Sequence, residues 1–398
     1  MDSQAALSPL RGVAFPHYSA RMAQFGKGAT FPSEHRRLRD EKTGALIHQL
    51  TNHPSINVNL YFLNCGFTPD QKTVVFTSYR SGKPNLFKLT FPDGAITQLT
   101  DCDGLHAYSG CISCDGSEVY FTRQGAIWAV SLGNYRERLL ASFGNDAQLG
   151  ECSLSASGKW ITTAAKRGGK PGIVAAKTDG SESCVVLEWN RTIIHPQFHP
   201  RDETLIEFAG DPAPRMHVIR RDGSGLECLH QHDNNYFVVH ETFLGEGDWL
   251  AFTVWPKSLS KIHLKSKQVQ TVATFNAWHI TPNEAGTQIV CDTVHPDIGI
   301  QLVDVATGSQ RTVCHPNSSS QGSQWKTSRY AVAEDWARAA QNQAAEKSKA
   351  LSWMEMKVDT VYGPQWTHPH PSFSPDERMI MYTSDVTGHP QVYVAEIP

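Results

Sequence analysis

Short runs in which hydrophobic and polar positions alternate recur along the chain, each opened by a Pro-Asp-Gly-like turn and closed by Thr or Ser. This period of two predicts β-strands. Seven copies can be read: FTPDQKTVVFTS from Phe67, ISCDGSEVYFTR from Ile112, LSASGKWITTAA from Leu154, FHPRDETLIEFA from Phe198, FLGEGDWLAFTV from Phe243, ITPNEAGTQIVCDT from Ile280 and FSPDERMIMYTS from Phe373. The first six follow one another at roughly 37 to 46 residues, the length of one four-stranded blade. A second turn signal recurs between copies, at Phe91–Gly94, Lys177–Gly180, Arg220–Gly223 and Val305–Gly308, where the third and fourth strands of a blade would join.

The chain ends extend the pattern. The last copy continues as TGHPQVYVAEIP and stops one strand short, while TGALIHQLT at Thr43–Thr51 resembles the blade-one strand DGAITQLT at Asp93–Thr100. Pairing these ends in one blade removes an open sheet edge. The expected fold is therefore all-β, a seven-bladed β-propeller forming one domain over residues 1–398, with residues 1–42 as an N-terminal extension and 43–51 as the closing strand. About 50 extra residues separate the sixth and seventh copies, and their Ala-, Glu-, Lys- and Gln-rich part predicts a partly helical insertion over 316–362, before the last blade. It is read as a solvated decoration of blade six, with a lid or subunit contact as the functional alternative.

In a propeller the innermost strand of each blade lines the central channel, and alternate side chains face it. Counting from the turn residue occupied by Pro in FTPD as zero, position −5 holds Asn64, Ser109, Glu151, His195, His240, Ala277 and His370 in blades one to seven. His279 at −3 and His368 at −7 share that parity, so five histidines are expected on one face. Such convergence points to a metal or proton-transfer site. The segment Gln365-Trp-Thr-His368-Pro-His370-Pro is the densest signal: alternate histidines on an extended, proline-stiffened strand present two ligands, with His279 as a third nitrogen and Gln365 as an oxygen donor. Neither a zincin, nor a nucleophile-elbow, nor a phosphate-loop motif is present.

Composition narrows the classes. With 40% hydrophobic and 19% charged residues, no apolar run near membrane-spanning length and a formal charge of −3, the sequence argues against membrane and nucleic-acid partners. The N-terminus shows no secretion signal, and the nine cysteines are an odd number set mostly in apolar runs, so a reducing cytoplasm is the expected location. The C-x-x-C pair Cys111 and Cys114 has no second pair and is read as structural.

The run QWTHPHPSFSPDERMIMYTSD, with PRMHVIRRDGSG, HETF, AWHITPNEAG and the N-terminal TG-x-x-x-x-QLT strand, resembles oligogalacturonate lyases over nearly the whole chain. These are cytoplasmic seven-bladed propellers of pectin catabolism that use a manganese-type divalent ion. The resemblance implies metal ligands His279, Gln365, His368 and His370, a proton-abstracting base at His240 and a substrate-carboxylate arginine at Arg215. Register alone does not separate His240 from His195, both at −5; the resemblance chooses His240, leaving His195 as a substrate contact. It further implies an acidic oligosaccharide substrate cleaved by β-elimination.

Those residue types suit that chemistry. The C5 proton of a 4-linked uronide is α to a carboxylate, so its removal builds a second negative charge, which a divalent ion and an arginine would offset. A neutral imidazole, ordinarily titrating near pH 6.5, serves as the proton acceptor. The chain departs from the family in the short FAGDPAPRM segment, in Val58 of NVNLYF and in the longer insertion, all of which bear on the sugar rather than on metal or base. Asn57, Asn59, Tyr61 and Arg80 are the candidate sugar contacts. Two alternatives stay open: a lyase for glucuronate-containing oligosaccharides, and a non-enzymatic propeller serving as a binding platform.

Overall fold

Each copy of the repeat folds into an antiparallel sheet, because its turn residues reverse the chain and its alternating strands place apolar side chains where neighbouring sheets meet. In the computed structural model, residues 25–322 and 361–398 are described, together with Glu334, Asp335, Ala337, Arg338 and Gln341. Seven sheets of four or five strands make the seven blades expected from the repeat. The inner strands of blades four, five and six span Thr192–Phe198, Val238–Phe243 and Ala277–Pro282; those of blades one and seven are short, Asn57–Val58 and Ser372–Phe373.

Between each pair of neighbouring blades lies one apolar cluster. Blades six and seven share Val290, Leu302, Phe373, Ile380 and Tyr393, and blades seven and one share Met381, Val392, Phe67, Phe76 and Phe87. Each fully buried Leu, Ile or Phe contributes roughly 1.5–3 kcal/mol. The ring is thus held by packing between blades, and the channel is left for polar groups.

The closing strand forms where the repeat requires it. Leu46–Gln49 pairs with the C-terminal strand Gln391–Glu396 in the register Ile47↔Ala395, His48↔Val394 and Gln49↔Tyr393. The extension before it does more than the repeat implies: Arg36–Arg39 adds a fifth strand outside Leu46–Gln49, and Thr30–Phe31 pairs with the outer strand of blade one. The helical insertion expected over 316–362 lies for the most part outside the described residues, which include no complete α-helix. Among the described residues no helix is long and apolar enough to cross a membrane. All nine cysteines are unpaired, and burial pushes the Cys111 thiol up to about 12.

Asp40 binds the closing hairpin to blade six. It accepts the Thr43 amide at 2.7 Å and hydroxyl at 3.0 Å, and the His315 amide at 2.6 Å. Burial alone would raise its pKa, but the hydrogen bonds from Thr43 and His315 outweigh that and hold it at about 2. Because the folded value is depressed, this stabilisation is present above the ordinary carboxylate range and is lost as pH falls toward the folded value. Asp40→Ala is expected to lower the unfolding free energy at neutral pH by roughly 1–3 kcal/mol. Urea titrations should show the gap to wild type narrowing between about pH 4 and about pH 2.

Candidate active site

The turn that closes each first hairpin corrects the register. The amide just before the zero position bonds across the turn: Thr68 to Thr73, Ser113 to Glu118, Ser155 to Trp160, His199 to Leu205, Leu244 to Trp249 and Ser374 to Met379. In blade six the equivalent donor is Asn283, bonded to Gln288, so zero is Glu284 and not Pro282. Position −5 of blade six is then His279, and the expectation of Ala277 there is overturned. The Thr-Pro in AWHITPNEAG imitates the Thr-Pro of FTPD but sits two residues earlier in the hairpin. With this register all seven −5 positions are polar, and all are buried: Asn64, Ser109, Glu151, His195, His240, His279 and His370.

Simple alternation does not aim these histidines; bulges do. In blade four His195 and Pro196 stand opposite the single residue Phe208, and in blade five His240 and Glu241 stand opposite Phe252. In blade six Trp278 and His279 stand opposite Asp292. His195, His240 and His370 have φ of +57°, +57° and +47°, a region that non-glycine residues occupy only where the surroundings impose it. The extended His-x-His expected in blade seven is likewise bent, since His368 follows the 3-10 turn Gln365–Thr367 and His370 is left-handed.

The outcome is a dense group of imidazoles. Ring centroids lie 4.0 Å apart for His279 and His370, 4.3 Å for His240 and His279, 5.3 Å for His279 and His368 and 6.4 Å for His195 and His240. Phe62, fully buried, lies against His195, His240, His279 and His370, with centroids 5.2–6.4 Å away. Its carbonyl accepts the Thr281 hydroxyl at 2.9 Å, which ties the loop carrying Tyr61 and Phe62 to blade six.

One nitrogen from each of His279, His368 and His370 falls within a sphere of mutual distances under 4.8 Å, the spacing of ligands to one ion. Second contacts orient the rings. His279 Nδ1 lies 2.8 Å from Asp292 Oδ2 and its amide donates to Asp292 Oδ1 at 2.7 Å, which leaves Nε2 as its ligand atom. His368 Nε2 lies 2.9 Å from the Tyr362 carbonyl, an acceptor only, so Nδ1 carries the lone pair. Both ring nitrogens of His370 are buried and lack a hydrogen-bond partner among the described residues, an arrangement that costs free energy unless a cation takes up a lone pair. The three-histidine set therefore fits a divalent ion. Gln365 stands at the start of the 3-10 turn, partly exposed, one turn before His368.

The electrostatics keep the cluster neutral. Burial pushes His240 well below its ordinary value, helped by the imidazoles of His279 and His195; burial, with the Arg215 charge, takes His195 down to about 3. Trp278 meets His240 edge-on, with ring centroids 4.3 Å apart. Arg215 is buried beside this group, but two carboxylates engage its guanidinium: Glu241 at 2.9 Å and Asp211 at 2.8 Å. It is not the open clamp that its motif suggests, and a substrate carboxylate would compete with both.

The sugar contacts expected from sequence divide. Tyr61 belongs to the cluster, with its hydroxyl 3.3 Å from His195 Nε2 and its ring stacked on His195. Asn59 lies behind His370: its Nδ2 donates to the His370 carbonyl at 2.7 Å, and its Oδ1 accepts the Thr383 hydroxyl at 2.6 Å. Asn57 and Arg80 lie at the seam of blades one and seven, each engaged by partners of its own. Arg80 pairs with Glu34 at 2.9 Å and packs on Phe31 and Phe87, and Asn57 bonds Gln391, Ser78 and Arg80. Sequence reasoning missed Asp292, read only as part of an apolar strand; an aspartate within IVCDT, on the strand paired with a histidine strand, was the available signal. Asp292→Asn is expected to weaken divalent-metal binding about 10–100-fold, measurable by calorimetric titration; unchanged affinity would show that His279 needs no such support.

Comparisons with known proteins bear on the fold and the family. A sequence model described as oligogalacturonate lyase matches residues 171–398, more than half of the chain. The oligogalacturonide lyase of Pectobacterium atrosepticum is 21% identical and the oligogalacturonate lyase of Dickeya dadantii 22% identical, each over 94% of this chain and 98% of the relative. Among solved structures, an oligogalacturonate lyase in complex with manganese superposes with a TM-score of 0.77 at 20% identity, covering 94% of this chain and 99% of the other. An oligogalacturonate lyase from Vibrio parahaemolyticus gives 0.75 at 18% identity with the same coverage. On the strength of the family match, the chain belongs to the oligogalacturonate lyase family, a family of lyases.

Proposed function

We propose that this protein is a metal-dependent lyase that cleaves 4-linked oligogalacturonides by β-elimination. The observation that carries the reading is the convergence of His279, His368 and His370 beside the neutral, buried His240. His279, His368 and His370, with the Gln365 amide as a fourth donor, would hold a divalent ion, which when bound would supply a Lewis acid for the uronate carboxylate. Manganese, present in a structurally similar relative, is the ion we assign.

The chain's own residues do the rest. His240 is the base: it is neutral, its Nδ1 has no hydrogen-bond partner among the described residues, and burial keeps it unprotonated at cytoplasmic pH, so it accepts the C5 proton. Glu241, the next residue, holds Arg215, so the cation stands beside the base with its orientation set. Phe62 and Trp278 exclude water around His240, and Tyr61 with His195 forms the adjoining surface for the sugar. The substrate is an acidic oligosaccharide met in the cytoplasm. The whole chain acts as one propeller, with residues 316–362 as an insertion.

His240→Ala is expected to lower turnover of digalacturonate, followed as ultraviolet absorbance of the unsaturated product, by about 10²–10⁴-fold while metal content stays at wild-type level. A His240→Ala variant that keeps its rate would sink the base assignment. His368→Ala should lose metal and activity together. Chelation of the wild-type protein should abolish product formation, and added manganese should restore it.

A further inference from the structure

The groups assigned so far remove a proton but supply none to the oxygen that leaves C4. An alkoxide is a poor leaving group, and a positioned acid accelerates its departure. In a 4-linked galacturonide the C5 hydrogen and the C4 oxygen are both axial and lie on opposite faces of the ring, so the base and the acid must approach from different sides.

The corrected register points to one residue. Blades four to seven present His195, His240, His279 and His370 at the channel position of the inner strand, and blade three presents Glu151 at the same position, two blades from His240 around the ring. The residue is 7% exposed, and its Oε2 is buried with no hydrogen-bond partner among the described residues. The backbone on either side is held in place. The Gly150 amide bonds the Ala164 carbonyl at 2.9 Å, the Gly150 carbonyl accepts the Thr122 hydroxyl at 3.0 Å, and the Cys152 carbonyl accepts the Asn64 amide at 2.9 Å. Glu151 lies within electrostatic range of Tyr61, whose hydroxyl in turn bonds His195.

A buried carboxylate oxygen without a partner is costly, and burial, offset only in part by the hydrogen bond from the residue's own amide, pushes Glu151 up to about 7, so that a substantial fraction keeps its proton near neutral pH. Two other glutamates have a buried oxygen without a hydrogen bond among the described residues, but Glu137 is ion-paired with Lys27 and Arg123 at 2.8 Å, and Glu207 lies on the second strand of blade four and accepts the Gln197 amide at 3.1 Å. It does not occupy a channel position.

We infer that Glu151 is the catalytic acid of the elimination. Its carboxyl O–H gives its proton to the departing O4 as the C4–O bond breaks, the electrons of the C5–H bond become the new C4–C5 double bond, and His240 takes the C5 proton. Glu151 is left as carboxylate and His240 as imidazolium, and the protons re-equilibrate with water between turnovers. The inference rests on the lyase reading given above.

The test compares two substrates: digalacturonate, and a galacturonate bearing a dinitrophenyl ether at O4, whose oxygen leaves as a stable phenolate without a proton. Glu151→Gln, close to isosteric, is expected to lose about 10²–10⁴-fold on digalacturonate and to keep turnover of the aryl ether, which also shows that the variant is folded. Unchanged turnover of digalacturonate overturns the inference. Equal losses on both substrates overturn it as well, by assigning Glu151 a structural role. A wild-type protein that eliminates neither substrate would instead overturn the lyase reading itself, and His240→Ala, inactive on both, separates the base from the acid.

Discussion

Leu46–Gln49 lies antiparallel on Gln391–Glu396, and through that one ladder the first and last parts of the chain complete a single blade. A propeller sheet is apolar on both faces, so it is stable only between two neighbours, and an open ring would leave two such faces and two bare edges in water. Closure at blade seven satisfies them together. It also places His368 and His370, carried by that blade, next to His279 of blade six. The segments that reinforce the seam, through Asp40 to His315 and through Glu34 to Arg80, therefore support the site from a distance.

Within the ring, the channel assembles by local departure from regular sheet. Bulges and left-handed residues turn His195, His240 and His370 toward the axis, and each costs backbone free energy that the surrounding packing offsets. Hydrogen bonds then fix what the bulges aim. Asp292 holds the ring and the amide of His279, Asn59 holds the carbonyl of His370, and the Tyr362 carbonyl sets the tautomer of His368. Phe62 excludes water from the middle of the group, where a dry setting strengthens every charge interaction.

Charge is distributed with the same economy. Four channel histidines are neutral because burial disfavours their protonated forms, so metal binding does not compete with protons near neutral pH. The permanent charge of Arg215 is balanced by Glu241 and Asp211, so it sits near His240 without leaving an uncompensated ion in the interior. Burial raises Glu151 to about 7, so much of it keeps its proton near neutral pH and the interior carries less uncompensated charge.

The sequence by itself determined the architecture and the chemistry of the residue types. Period-two alternation and recurrent turn residues are local signals, and seven of them at blade spacing, with a spare strand at the N-terminus, suffice for a closed propeller. His240, His279, His368 and His370 were legible because they recur near one inner-strand position. Only the tertiary structure decided the register in blade six, where a Thr-Pro two residues early misled the count and the hairpin bond from Asn283 to Gln288 corrects it. It also decided that Asn57 and Arg80 serve the seam while Asn59, two residues from Asn57, serves His370. The support from Asp292 likewise came from the fold alone. Such roles depend on which strand lies across from which and on where a bulge adds a residue. Both arise from long-range pairing, and neither leaves a trace in the local alternation of the chain.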